Sequence, residues 1–277
     1  MRGRPSVGHA ANVTGRHWRE GSSVRQTPGR LVVLSGPSCV GKSPLRRALA
    51  TFYPELWKRL QKLVLFNSRA PRPGEREGLD YYFRSRSDLE NLRSNEEYVV
   101  VEVRGDLQAF SVEALKGVLE HGDAFFEGNP FIGRLLQTHS LSTVDPLTIF
   151  LSPLSRGEVA YLRAPERHVS LDEFVTDLMR RKLLRRTRRH KGELSLADLQ
   201  NIELRAGSAY AELAEAWRFQ HVIPNHDGED SENWDAFYYP IGEARASLEI
   251  VAALLEGAVR PSVEVWEEGL VPGAPVK

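Results

Sequence analysis

An α/β fold, a parallel sheet covered by helices, is what this sequence predicts, and three observations predict it. Short apolar runs alternate with amphipathic stretches along the chain, the pattern of strands buried between helices. The first such run, "RLVVLSG" (Arg30 to Gly36), leads directly into the glycine-rich "GPSCVGKS" and then into helical spacing. The composition is that of a globular protein: 277 residues, 41% hydrophobic and 27% charged, enough for one substantial core with a small appended lobe.

Bulk charge narrows the function classes. Lys plus Arg and Asp plus Glu stand at 37 each, so net charge gives no case for nucleic-acid or membrane binding. No apolar run reaches the roughly 18 residues of a membrane span. A single cysteine excludes an internal disulfide and suits a reducing, cytoplasmic setting. Residues 1–29 are rich in Arg, Gly, Ser and His and lack the apolar region of a secretory signal, so a disordered basic arm is expected there. An organelle-targeting or nucleic-acid-binding arm is the alternative.

The elements run in order along the chain. "RLVVLSG" reads as a buried strand, and "SPLRRALATFYPELWKRL" as a helix with Leu45, Leu49 and Phe52 in step until Pro54 interrupts it. "KLVLF" (Lys62 to Phe66) reads as a second strand, and "NSRAPRPGEREGLDYYF" as an extended loop running into a short one. "YVVVEVRG" is a strand. "SVEALKGVLEHG" is a helix with Ser111 as N-cap and Ala114, Leu115, Val118 and Leu119 on one face. "DAFFEG" and "LTIFLSP" are further buried strands. "DEFVTDLMRRKLLRRTRR" is amphipathic and very basic, "LADLQNIELRAGSAYAELAEAW" is one long helix, "FQHVIPN" a last strand and "GEARASLEIVAALLEG" a closing helix. A loose tail is expected over 259–277.

Strand, G-x-x-x-x-G-K-S and helix together form the arrangement that cradles polyphosphate. Gly36 and Gly41 let the backbone wrap closely, so that the amides of Pro37 to Ser43 surround an anion, apart from the proline, which has none. The helix after the loop adds the positive end of its dipole. Lys42 would reach the β- and γ-phosphates of ATP, and the Ser43 hydroxyl would serve Mg²⁺. Pro37, Ser38, Cys39 and Val40 complete the loop. Cys39 occupies a small-residue position, and Pro44 suits a helix start while removing one donor.

Arg69 and Arg72 lie three apart in the loop after the second strand, with Tyr81 and Tyr82 beyond a glycine bend. Guanidinium groups in such a loop suit bidentate grip on a small anion, and a phenol adds a neutral donor. Here the sequence resembles the guanylate kinases, whose GPSGxGKSTL and TTRxPRxGExxGxDYxF patterns match "GPSCVGKSPL" and "SRAPRPGEREGLDYYF". The resemblance runs from about Leu31 to Leu255, with an apparent insertion from about Arg163 to Leu196. It implies a nucleoside monophosphate kinase-like P-loop fold over 30–258, an acceptor-binding lobe at about 67–112 and a basic lid at about 156–197.

The resemblance also assigns roles. Arg69 and Arg72 would grip the acceptor's phosphate, with Tyr81 as their companion. Arg205, in "RAGSAYAEL", would reach the transferring phosphoryl group, and Asn225, in "VIPNH", would lie near the donor nucleoside. In the basic segment, Arg181, Arg185 and Arg188 are the lid candidates, with Arg185 taken as catalytic beside Lys42 and Arg205. A solvated charged face or a partner-binding helix are the other readings of that segment.

Departures from the family pattern gather at the acceptor base. Val99 stands where a guanine-reading Glu is expected, Gln108 where a tyrosine is, and Phe110 and Leu65 where small hydroxyl residues are. Glu102 is the substitute carboxylate if the register slips. The family's D-x-D becomes Glu127-x-Asn129: Glu127 would organise Mg²⁺ through water, and Asn129 would hydrogen-bond the acceptor. The expected function is ATP- and Mg²⁺-dependent phosphoryl transfer to a small phosphorylated substrate, GMP first. A kinase for another nucleotide or phosphorylated metabolite, or a non-catalytic binding module of the same fold, are the alternatives. Nucleic-acid and membrane partners are not expected, and no sequence feature sets an oligomeric state.

Overall fold

The computed structural model describes residues 28–72, 74–139 and 144–273. The expected basic arm therefore lies almost wholly outside the described residues. Five strands make one parallel sheet: β1 (Leu31–Ser35), β2 (Leu60–Lys62), β7 (Asp123–Gly128), β8 (Leu147–Ser152) and β9 (His221–Pro224), in the order β2-β7-β1-β8-β9. Four others make a second, mixed sheet: β3 (Leu65–Asn67), β4 (Tyr81–Phe83), β5 (Tyr98–Val103) and β6 (Asp106–Ser111), in the order β4-β3-β6-β5.

β1 shows why the apolar runs become strands with two buried faces. Val32 and Leu34 join the core built with Leu45 and Leu49 of α1 (Lys42–Phe52) and with Leu248 and Val251 of α10 (Gly242–Leu255). Leu31 and Val33 face the other core, with Leu115 and Leu119 of α4 (Val112–His121) and Ile132 and Leu136 of α5 (Pro130–His139). Alternate residues thus serve opposite faces, and each finds a helix there. Ser111 caps α4 as expected, its side chain accepting from the Ala114 amide. Short helices α2 (Pro54–Trp57) and α3 (Arg86–Asn91) fill connections.

Several elements differ from the sequence expectation. "KLVLF" is not one strand: β2 ends at Lys62 and β3 begins at Leu65, because the chain crosses there from the parallel sheet to the mixed one. β6 was not expected at all. Arg104 and Gly105, both at positive φ, turn the chain back so that Val103 pairs with Asp106, a tight hairpin with a turn residue only at its second corner. α5 was also unforeseen. The long helix over "LADLQNIELRAGSAYAELAEAW" breaks at Ser208 into α8 (Leu196–Gly207) and α9 (Ala209–Leu213).

The basic segment forms α7 (Leu171–Lys191), preceded by α6 (Arg156–Arg163). Val175, Met179 and Leu183 of α7 are fully buried, so one stripe of this helix belongs to the core and only the other faces carry the charge. The tail is not loose over its described part. Trp266, Leu270 and Val271 are buried, and Val222 and Glu264 exchange backbone hydrogen bonds of 2.8 Å in an antiparallel bridge along β9. Tyr210 of α9 donates to the Pro272 carbonyl at 2.9 Å. Apolar residues in a Pro- and Val-rich tail are buried here because β9 is a sheet edge that offers a partner. Among the described residues no helix is long and apolar enough to cross a membrane.

Candidate active site

One cleft of about 420 Å³ runs between the glycine-rich loop and the cleft-facing side of the mixed sheet. Its size is that of a small-molecule site. Although the chain is formally neutral, Lys42, Arg46, Arg47, Arg69, Arg72, Arg104, Arg186 and Arg205 all line it. Glu75, Asp80, Asp106, Glu127 and Glu229 share that lining, but the cations outnumber them, and the excess positive charge in a concave site suits phosphates.

At one end the loop 36–43 has the geometry its residues require. Gly36 and Gly41 have φ of 144° and 106°. A Cβ on Gly36 would stand 2.3 Å from the Leu151 carbonyl oxygen, and one on Gly41 would stand 2.6 Å from Asn225 Nδ2, so neither position accepts a side chain. Cys39 sits in the left-handed region at φ 70°, where the family pattern has glycine. Burial pushes its thiol up to about 12, so it is a protonated, unreactive filler of the loop. Lys42 is buried, and its Nζ donates to the Gly36 and Pro37 carbonyls at 2.7 Å each. Burial lowers its pKa, against the pull of Glu229 and other acids.

Ser43 Oγ donates to Glu127 Oε1 at 2.8 Å, and Arg46 Nε donates to Glu127 Oε2 at 2.7 Å. A serine hydroxyl beside a carboxylate fits a Mg²⁺ held largely through water and phosphate oxygens. Pro44 is the third residue of α1, and the helix's first backbone bond is Leu45 N to Gly41 O at 3.1 Å. The missing N–H of Pro44 is therefore one that the helix would leave unpaired anyway.

At the other end Arg69, Arg72 and Tyr81 face the cleft. Arg69 forks onto Glu75 with two bonds of 2.6 Å and lies over the Tyr81 ring at 5.1 Å. Glu75 also accepts from the Arg72 backbone amide at 2.7 Å. That carboxylate fixes the loop and leaves the Arg72 guanidinium with no hydrogen-bonding side chain among the described residues. Burial and then the neighbouring Arg69 lower the Arg72 pKa, a destabilised charge that an anionic ligand would relieve. Burial raises the Tyr81 pKa, which keeps its hydroxyl a neutral donor.

Other expected residues sit elsewhere. Glu102 points away from the cleft, exposed and paired with Arg86 at 2.9 Å. Strand alternation turns Val99, Val101 and Val103 to the other face, so no register slip is available to Glu102. Asn129 reaches the cleft edge, but its Nδ2 donates to Glu212 at 2.9 Å and its Oδ1 accepts from Phe131 N at 2.9 Å. Asn225 is fully buried behind the loop, donating to the Val40 and Asp227 carbonyls; it buttresses the cradle. Arg205 Nε reaches Ser38 Oγ at 3.2 Å. Burial, and then repulsion from Arg186 and Arg72, bring its pKa down to about 9.

Arg185, the expected lid arginine, lies outside the cleft and bonds Asp230 at 2.8 Å. Its neighbour Arg186 lines the cleft instead. The signal was present in the periodicity: Val175, Met179, Lys182 and Arg186 succeed one another at helical spacing on the buried side of α7. Arg46, Arg47, Arg104 and Glu229 are among the other cleft residues that sequence reasoning missed. Arg104 Nε donates to Ser208 Oγ at 2.8 Å and Glu212 Oε1 at 2.9 Å, tying the β5–β6 hairpin to α9. Two of the family's base-reading positions are set back from the cleft: Val99 pairs with Phe110 across the strands and both pack in the core, while Leu65, 1% exposed like Phe110, lies at the cleft wall. Beside it Asn67 pairs with Gln108, and both line the cleft.

Comparison with known proteins adds four findings. The family model described as guanylate kinase matches residues 28–171. A guanylate kinase of Synechococcus sp. is 32% identical over 217 residues, 77% of this chain and 84% of that protein. A guanylate kinase of Nostoc sp. is 33% identical over 178 residues, 64% of this chain and 81% of that protein. Among solved structures, the guanylate kinase of Anaplasma phagocytophilum aligns over 83% of this chain and 86% of its own at a TM-score of 0.49 and 19% identity.

Proposed function

The chain belongs to the guanylate kinase family, and from that premise we propose that it transfers the γ-phosphoryl group of ATP, with Mg²⁺, to the phosphate of a small monophosphorylated acceptor, GMP first among them. Membership makes it a guanylate kinase-like phosphotransferase; donor, metal and acceptor are the parts proposed. The observation that carries the reading is that one cleft is lined at one end by Lys42 and Ser43 and at the other by Arg69, Arg72 and Tyr81.

In this reading the loop amides and Lys42 hold the β- and γ-phosphates, and Arg72, Arg69 and Tyr81 hold the acceptor's phosphate. Mg²⁺, when bound near Ser43 and Glu127, neutralises charge on the donor oxygens. An acceptor phosphate oxygen bonds to the γ-phosphorus as the bond to the β,γ-bridging oxygen breaks, giving ADP and a phosphorylated acceptor phosphate. That oxygen is ionised near neutral pH, so no catalytic base is required. Arg205 and Arg186 lie where charge on the transferring group would need stabilising, and positioning with electrostatics supplies most of the rate in such transfers.

One observation favours a second acceptor class. Guanine presents N1–H and an exocyclic amine, which a carboxylate reads well, yet the positions where the family pattern has that carboxylate and its hydroxyl neighbours are Val99, Phe110 and Leu65, the first two packed in the core away from the cleft. A different nucleotide or a phosphorylated metabolite is therefore the alternative. ADP release with ATP, Mg²⁺ and a panel of GMP, dGMP, AMP, UMP, CMP and phosphorylated sugars tests both. GMP-dependent turnover supports the first acceptor, turnover with another member supports the second, and no acceptor-dependent turnover together with no ATP binding ends the kinase reading.

A further inference from the structure

The donor end of the cleft contains a negative charge that belongs to the chain. Between β9 and α10, residues 225–241 fold back over the loop 36–43 instead of passing directly from sheet to helix. Glu229 N donates to the Cys39 carbonyl at 3.2 Å, and Asn225 Nδ2 donates to that of Val40 at 2.8 Å. The Trp234 ring lies so near that a Cβ on Gly41 would stand 3.2 Å from it. Asp227 stiffens the segment by accepting from Ser231 Oγ at 2.8 Å, Asn233 Nδ2 at 2.9 Å and Ala244 N at 3.0 Å.

From this platform the Glu229 side chain, 11% exposed, enters the cavity that Lys42, Arg186 and Arg205 line, with Oε2 3.0 Å from Arg186 Nε. Among charges, Arg186, Lys42 and Arg205 act on it most strongly, and Glu229 is in turn the charge acting most strongly on Lys42. An enclosed carboxylate is tolerable only when paired. Its partners here are the cations a triphosphate would use.

We propose that Glu229 is an internal surrogate for a donor phosphate: it neutralises Lys42, Arg186 and Arg205 until the donor binds, and it sets donor affinity by competing with the terminal phosphate oxygens for those cations. The proposal rests on the reading of the cleft as a nucleoside triphosphate site. Competition of this kind has a signature that a purely structural contact lacks. Removing the charge should tighten binding in proportion to the terminal phosphates a ligand carries, and a lost structural contact should loosen it.

The test is calorimetric titration of the 277-residue chain and its Glu229→Gln variant with ATP, ADP and AMP in the presence of Mg²⁺. Glu229→Gln keeps the side chain's shape and is expected to bind ATP on the order of tenfold more tightly, ADP by less, and AMP unchanged. ATP binding that is unchanged or weaker in the folded variant overturns the proposal. Should Glu229→Gln lose its cooperative melt, Glu229→Asp carries the test, since its carboxylate is one methylene short of the cations. A smaller gain in ATP affinity supports the proposal, and none overturns it. If wild type and variants all fail to bind ATP, the nucleotide-site reading falls and this inference with it. ATP binding by wild type without a gain in the variants removes this inference alone.

Discussion

In the proposed reading, the two ends of the cleft would grip phosphate by different means. At the donor end the grip is mainly backbone: glycines that admit no Cβ, carbonyls that hold Lys42 at 2.7 Å, and a helix start. At the acceptor end it is side chains on a loop, with Glu75 locking Arg69 in place and Arg72 left free of side-chain partners among the described residues. A backbone cradle is indifferent to the group that the phosphate is attached to. A side-chain grip beside a strand face is not, because the next residues on that face touch the rest of the ligand. In that reading the difference would separate reaction type from substrate choice, the first belonging to the loop 36–43 and the second to β3, β5 and β6.

The largest effect that tests this division is at Lys42. Lys42→Ala should lower turnover by roughly a thousandfold or more with every acceptor alike, measured as ADP release alongside an unchanged cooperative melt. Retained activity would break the assignment of the donor end. Next comes Arg72→Ala, expected to raise the acceptor KM by about ten- to a hundredfold while the Kd for ATP stays within error. An equal loss for donor and acceptor would mean that the ends are not separable.

A smaller effect probes substrate choice. Placing the family's polar groups at the base-reading positions with Val99→Glu and Phe110→Thr should improve kcat/KM for GMP relative to the other acceptors by about tenfold. Loss of GMP use in a folded double variant would place base reading elsewhere in the cleft. The smallest effect lies at the rim of the donor end. His226 contacts Glu243 through Nδ1 at 2.8 Å and Glu158 through Nε2 at 3.0 Å, and its carbonyl accepts from Lys182 Nζ at 2.5 Å. Burial works against its charge, but the Glu243 and Glu158 carboxylates raise its pKa overall.

A raised histidine pKa gives stability that is fully present below the ordinary value near 6.5 and is lost as pH climbs through the folded value. The melting temperature should therefore fall slightly, by about a degree or less, from pH 6 to pH 9, because this half-exposed imidazole is screened by solvent, and His226→Gln should flatten that slope. The acceptor-end variant Arg72→Ala should keep the slope. A wild-type melting temperature independent of pH over that window would remove His226 from the account.

Legibility in the sequence divides along the same line. Four strands of the parallel sheet were readable because they are unbroken apolar runs, and the loop 36–43 because backbone geometry forces glycine at fixed spacing; β2, with the sequence LQK, carries no such run, and only its Lys62 fell within the expected strand "KLVLF". The β5–β6 hairpin was not, since Arg104 takes positive φ without being Gly, Asn or Asp. Glu102 was misassigned because side-chain direction depends on strand register, which the hairpin sets. Arg186 was missed beside Arg185 although helical phase distinguishes them. Glu229 could not be found from local pattern, because its partners come from distant parts of the chain and meet only where residues 225–241 fold back.

The packed C-terminal segment has a consequence for handling the protein. β9 ends the parallel sheet, and the reciprocal bonds between Val222 and Glu264 occupy backbone groups that would otherwise be open. Sheet edges left open are templates for pairing with other chains. Trimming the chain after α10 would uncover that edge together with the apolar surface under Trp266. Shortened versions are then prone to self-association, and an affinity tag belongs beyond Val271 rather than in place of the segment that seals β9.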